Sequence, residues 1–156
     1  MRLTQFFFAA SLLLVASAAS AQIGVTYLQA TRLLESDFDL KGIKSDPAKG
    51  KIVGQSKDGI AVIELIGDLN NLTSASLTIA VPNDSTTARA RNSARLLRFV
   101  ANTVPEWKGN TRWINSRLQK IADGDYSNST TTVGLKKITL MSAKEGAIIL
   151  TLVEKK

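Results

Sequence analysis

The chain contains neither cysteine nor histidine, and these two absences remove whole classes of chemistry. Without cysteine there is no disulfide, no thiol nucleophile and no thiolate metal ligand. Without histidine the commonest acid–base group near neutral pH and the usual imidazole ligand of zinc are missing. Catalysis would fall to carboxylates or to a Ser–Lys pair. Ser45 and Lys49 do not make a recognisable dyad, and no phosphate-binding loop, dinucleotide fingerprint or calcium loop is present. The expectation is therefore a protein that is not an enzyme and takes no cofactor or metal. Stability has to come from core packing, which a chain of this length can supply without covalent staples.

Residues 1–21 carry the pattern of a cleavable export signal. Arg2 gives a basic start, Phe6, Phe7, Phe8, Leu12, Leu13, Leu14 and Val15 an apolar middle, and Ala19-Ser20-Ala21 a small-residue cleavage site. The apolar stretch is shorter than the ~20 residues of a spanning helix. No later segment is long enough to span, so no transmembrane segment is expected after cleavage. The expected mature chain, 22–156, has the size of one domain, and its expected location is the periplasm or the medium.

The formal charge is +7, and loss of Arg2 lowers it by one. Such an excess attracts anionic partners. Export and the lack of dense basic–aromatic interleaving argue against nucleic acid. The expected partner is a protein or an anionic envelope component.

Periodicity gives the architecture. Residues 26–36 read as a first helix, with Thr26 as N-cap and Ile23 and Val25 as a staple. Residues 37–50 read as a loop. Strands are expected over Lys51–Ser56, Ile60–Ile66 and Ser74–Val81, with a tight turn at Lys57-Asp58-Gly59. Residues 82–85 cap a long helix from about Thr86 to Val104, whose inner stripe is read as Ala90, Ser93, Ala94, Leu97, Val100, Ala101 and Val104. Leu96 and Phe99 are left for the next helix to cover. That helix spans about Arg112 to Asp123, capped by Asn110 or Thr111, with Trp113, Ile114, Leu118 and Ile121 inward and Gly124 at its end. Residues 125–132 read as a polar turn, and 133–142 and 147–154 as a hairpin across 144–146. The order α-β-β-β-α-α-β-β predicts an α+β fold: an antiparallel sheet of about five strands with helices on one face. This order is similar to that of small exported helix-plus-sheet modules such as the β-lactamase-inhibitor-protein and outer-membrane-assembly-lipoprotein folds, a likeness that carries no functional residue across.

Four features are candidates for function. Arg91, Arg95 and Arg98 fall on one flank of the long helix, with Arg89 near them, and Arg112, Arg117 and Lys120 lie on the next. Together they form a candidate anionic-partner patch, or else a solvated helix face. Trp107 and Trp113 are candidate partner-surface aromatics, or else core residues at the helix connection. Ser74, Ser76, Thr78, Lys137 and Thr139 alternate with core positions and line one sheet face, open to a partner or simply to solvent. Glu64 is the one charge in the most apolar strand, and a buried carboxylate there would mark a site. The alternative function is a carboxylate-dependent hydrolase of envelope glycans, which needs two carboxyls about 5–10 Å apart in a cleft. Glu64, Glu106 and Asp125 are its candidates. Asn71, Asn83 and Asn128 head N-glycosylation patterns that matter only in a eukaryotic secretory pathway.

Overall fold

Alternation of apolar and polar residues sets the strands, and the strands set everything else. The computed structural model describes residues 23–32, 34, 37–39, 50–80, 86–143 and 146–155. The export segment, the loop over 40–49 and the expected cap at 82–85 lie outside these residues. The elements are α1 (Tyr27–Thr31), β1 (Phe38–Asp39), β2 (Lys51–Ser56), β3 (Ala61–Asp68), β4 (Asn71–Ala80), α2 (Thr86–Thr103), α3 (Asn110–Ala122), β5 (Ser129–Val133), β6 (Lys136–Ala143) and β7 (Ala147–Glu154). The fold is α+β, as the element order predicts. The sheet holds seven strands rather than about five, because β1 and β5 join it.

The strand order is β1-β2-β3-β4-β7-β6-β5, and every pairing is antiparallel. Two meanders, β1–β4 and β5–β7, therefore meet along β4 and β7, with α2 and α3 inserted between them in sequence. One face carries the core: Ala61, Ile63 and Leu65 of β3, Ala75, Leu77 and Ile79 of β4, Ile138 and Leu140 of β6, and Leu150 and Leu152 of β7 are all buried. Each of the leucines and isoleucines among them contributes about 1.5–3 kcal/mol on leaving water, and the alanines less.

A bulge resets β4. The pairing with β3 shifts between Ile66 and Gly67, so Leu72 and Ala75 both reach the core although they are three residues apart. Gly67 adopts φ 117°, and a Cβ there would lie 2.6 Å from the Thr73 amide nitrogen. Only glycine fits that crossing.

The N-terminal segment docks beside this bulge. Ile23 donates its N–H to the Leu72 carbonyl at 2.8 Å, the Leu72 N–H returns to the Val25 carbonyl at 2.8 Å, and both Ile23 and Val25 are buried. Thr26 then caps α1: its hydroxyl accepts from the Gln29 N–H, and the Gln29 side chain accepts from the Thr26 N–H. The helix ends at Thr31 instead of reaching residue 36, because Arg32 leaves the helical region at ψ 135°.

Helix α2 is rotated from the expected stripe. Its buried residues are Asn92, Arg95, Leu96, Phe99, Val100 and Thr103, while Ala90 and Ala101 are exposed. The sequence offers more apolar positions on the alanine stripe, but Leu96 and Phe99 bury far more apolar area than alanines do. The rotation also brings three polar residues inward, and each finds partners. The Thr103 hydroxyl donates to the Phe99 carbonyl, and Asn92 donates to the Ala80 carbonyl. Among the described residues no buried side-chain nitrogen or oxygen lacks a hydrogen bond. Helix α3 shows its expected inner side, with Ile114 buried and Trp113, Leu118 and Ile121 packed against the core. Its N-cap is Gly109, without a side-chain cap, rather than Asn110 or Thr111. No helix among the described residues is long and apolar enough to cross a membrane.

Candidate interaction surface

The sheet face opposite the core is assembled by register. Directly opposed residues share a face, so the pairings define rows crossing the strands. One row reads Val53, Glu64, Ser76, Thr151, Thr139 and Thr130 from β2 to β5. Its neighbours read Gln55, Val62, Thr78, Ile149 and Met141, and Lys51, Ile66, Ser74, Val153, Lys137 and Thr132. At strand spacings of about 4.8 Å, Ser76, Thr151, Thr139 and Thr130 place four hydroxyls in line. The Thr130 and Thr139 hydroxyls lie 3.2 Å apart, and Thr151 donates to the Thr139 carbonyl. Most of the central side chains are half-buried, with Val153 exposed, and toward the edges Lys51, Gln55, Thr130 and Thr132 are exposed while Val53 is half-buried. Ser74, Ser76, Thr78, Lys137 and Thr139 thus share one face, as their alternation predicts.

Charge on this face is sparse. Glu64 is half-buried and makes a 2.7 Å ion pair with Lys51 of the neighbouring strand, the partner on an adjacent strand that an isolated strand carboxylate requires. Lys137 is the other charge from β2 to β5, and Asp39 of β1, opposite Gln55, adds a charge at the rim of the second row. Neutral hydroxyls flanked by Val62, Ile66, Ile149 and Val153 suit peptide and aliphatic contacts rather than acid–base chemistry.

The arginines are divided by the fold. Arg95 is 1% exposed and so does not belong to a surface patch. Its Nε donates to Asp37 Oδ2 at 2.5 Å, its Nη2 to Asp37 Oδ1 at 2.8 Å and Asp58 Oδ2 at 2.9 Å, and its Nη1 to Asn92. The guanidinium also lies 5.9 Å from the Phe38 ring centre. Asp58 completes the β2–β3 turn by accepting from the Ser56 hydroxyl and the Ile60 N–H. One buried cation therefore ties the segment after α1, the β2–β3 turn and α2. Arg91 adds an exposed 3.2 Å pair to Asp58. Arg98 and Arg112 are exposed, and Arg117 sits over the Trp113 ring at 5.9 Å. Of the five arginines assigned to the patch, Arg98 and Arg112 present their charge most freely.

Trp107 and Trp113 meet with ring centres 5.4 Å apart at 58°. Both are half-buried and packed against the core, which pins the α2–α3 connection; such a ring pair is worth about 0.5–1.5 kcal/mol beyond burial.

The carboxylates divide as well. The Arg95 hydrogen bond holds Asp37 below the usual carboxylate range. Burial pushes Asp58 up, but hydrogen bonds from Ser56, Arg95 and Ile60 outweigh it and hold it well below that range. Asp37 and Asp58 are thus the close carboxylate pair, and both stay ionised, so neither supplies a proton to a leaving group. Glu106 is lowered too: burial raises it, while its own backbone N–H and Lys136 lower it further. Lys136 reaches it at 2.9 Å and also donates to the Thr103 carbonyl. Glu106 and Lys136 line an open cleft of about 370 Å³ with Ile23, Gly24, Asn71 and Leu135. Asp125 is exposed, bonded to Ser127. Glu64, Glu106 and Asp125 therefore sit on different elements with different partners, and among the described residues no cluster of acidic side chains could hold a metal ion.

The sequence missed the Arg95 network because its partners lie 58 and 37 residues away. The available signal was an arginine one turn from Phe99 on a helix with too few large apolar residues to fill a face. The chain matches no protein-family model, and neither curated proteins nor solved structures show significant similarity to it.

Proposed function

We propose that this chain is an exported, non-enzymatic binding module that receives a partner protein on its open sheet face. One observation carries the reading: from β2 to β5 the strands present three registered rows of hydroxyl and aliphatic side chains, with charge in these rows limited to the Lys51–Glu64 pair and Lys137 and, at the β1 rim, Asp39 opposite Gln55. A face of this composition offers neutral hydrogen-bond donors and acceptors between apolar contacts, the mixture common to protein interfaces. The leader-like residues 1–21 support a site of action in the periplasm or outside the cell. The lowered pKa values of Asp37 and Asp58 weigh against the hydrolase alternative, which requires one carboxyl held protonated.

The test uses immobilised protein and an envelope extract. Ser76→Arg and Thr151→Arg place bulky charges in the middle of the face, and Arg98→Glu alters the helix side. The expected result is a retained protein that is lost with both face variants and kept with Arg98→Glu. Loss with Arg98→Glu and retention by the face variants would assign binding to the basic helices and overturn the proposal.

A further inference from the structure

We infer that β5 is a self-association edge: two copies of this chain pair antiparallel through Ser129–Val133 about a twofold axis at Thr131. The inference concerns the rim of the sheet and is independent of what the open face binds. β5 is the outermost strand, and among the described residues nothing pairs beyond it. Proteins blunt such edges with charge, proline or a bulge, because unpaired amides template further pairing. Ser-Thr-Thr-Thr-Val contains no charge and no proline, and its register with β6 runs without a shift. The opposite rim ends in β1, only two residues long.

The geometry of the β5–β6 hairpin fixes which amides are free. Val133 pairs with Lys136 across the two-residue turn Gly134-Leu135, and a pair closing so short a loop exchanges both of its hydrogen bonds. Alternation then directs the amides of Thr131 and Ser129 toward β6 and those of Thr130 and Thr132 outward. A twofold axis at Thr131 sets Thr130 of one copy against Thr132 of the second, each pair exchanging two bonds. Of the antiparallel registers, only this one overlaps all five residues of the strand.

A second observation fits the same register. Tyr126 and Leu135, 47% and 70% exposed, are among the few large apolar side chains left in solvent, and they flank β5 on its two sides. The axis at Thr131 brings Ser127 opposite the second copy's Leu135, with Tyr126 beside it, at both ends of the joint. A monomer leaves these side chains wet. The pair lets each cover the other.

The absence of native cysteine makes the test clean. Thr131 faces its own copy in a non-hydrogen-bonded pair, where Cα atoms approach to about 4.5 Å, inside the span of a disulfide. Thr131→Cys is expected to oxidise to a covalent dimer at least about tenfold faster than Leu28→Cys, an exposed control on α1 outside the sheet, because pairing raises the effective thiol concentration. In the wild type, the Thr130 and Thr132 amides should exchange more slowly as protein concentration rises, while Thr131 stays protected throughout. Thr132→Pro removes an outward donor without touching the ladder to β6 and should sediment as a monomer. If that variant fails to fold, the concentration dependence of wild-type exchange decides alone. A wild-type monomer at every concentration, or equal oxidation of Thr131→Cys and Leu28→Cys, overturns the inference, and faster oxidation of Thr130→Cys than Thr131→Cys overturns the register.

Discussion

Replacing Arg95 by methionine keeps the length of the side chain and deletes the charge that joins three elements. Four hydrogen bonds disappear, three of them to carboxylates. Stranding the partners of a buried ion pair costs about 3–5 kcal/mol when both are sealed from water. Here Asp37 and Asp58 are 26% and 23% exposed, so water recovers part of their solvation, and the loss comes down to about 2–4 kcal/mol. The Phe38 contact adds less than about 1 kcal/mol. With a urea slope of about 1.5 kcal/mol/M, the unfolding midpoint should fall by roughly 1.3–2.7 M. Arg98→Met on the exposed side of the same helix should stay within about 0.5 kcal/mol of wild type. In a double-mutant cycle, Arg95→Met and Asp37→Asn should couple by about 1–3 kcal/mol. Equal midpoints for Arg95→Met and Arg98→Met would refute the reasoning, and so would strict additivity with Asp37→Asn.

Acid should reveal the same network. Asp37 and Asp58 titrate below their ordinary value of 3.8 in the folded chain, so they stabilise the fold above that value, and the contribution is lost as pH falls through the folded pKa values. Urea midpoints should be flat from pH 7 to about 5 and drop below about pH 4, less steeply in Asp37→Asn and Asp58→Asn; an unchanged drop in both variants would exclude these two groups as the cause. At the β-bulge, Gly67→Ala should cost at least about 2 kcal/mol, since its Cβ meets the Thr73 backbone. Gly134→Ala, at φ 58° with open space around its Cβ, should cost about 1 kcal/mol, and thermal unfolding of the two would expose a wrong account if their order were reversed.

Local signals carried much of the fold. The alternation of Ala75, Leu77 and Ile79, the Asp58-Gly59 turn and the Thr26 cap each state their role within a few residues. β5 was read as a turn because Ser129–Thr132 offers no apolar residue to alternate, although β-branched threonine favours strands. The inner face of α2 was misplaced because counting apolar positions weighs an alanine like a phenylalanine. Arg95 shows the same limit more sharply: an arginine belongs inside only when two aspartates from distant segments arrive with it. The open face was legible through Ser74, Ser76, Thr78 and Thr139. Its Thr130 and Thr151 members required the order in which the strands pair.

The docking of Ile23 and Val25 beside Leu72 bears on the order of events at export. On the proposed reading, the peptidase cuts between Ala21 and Gln22, and Ile23, the second residue after the cut, donates its amide to the Leu72 carbonyl. A protease cleft must hold residues on both sides of the bond it breaks, and two groups cannot hold Ile23 at once. On that reading the Ile23 and Val25 contacts to Leu72 must be open while the bond is cut. A leader that is removed thus couples processing to the contact at Leu72: the same segment that the peptidase would hold is the one that covers the rim of the core beside the bulge.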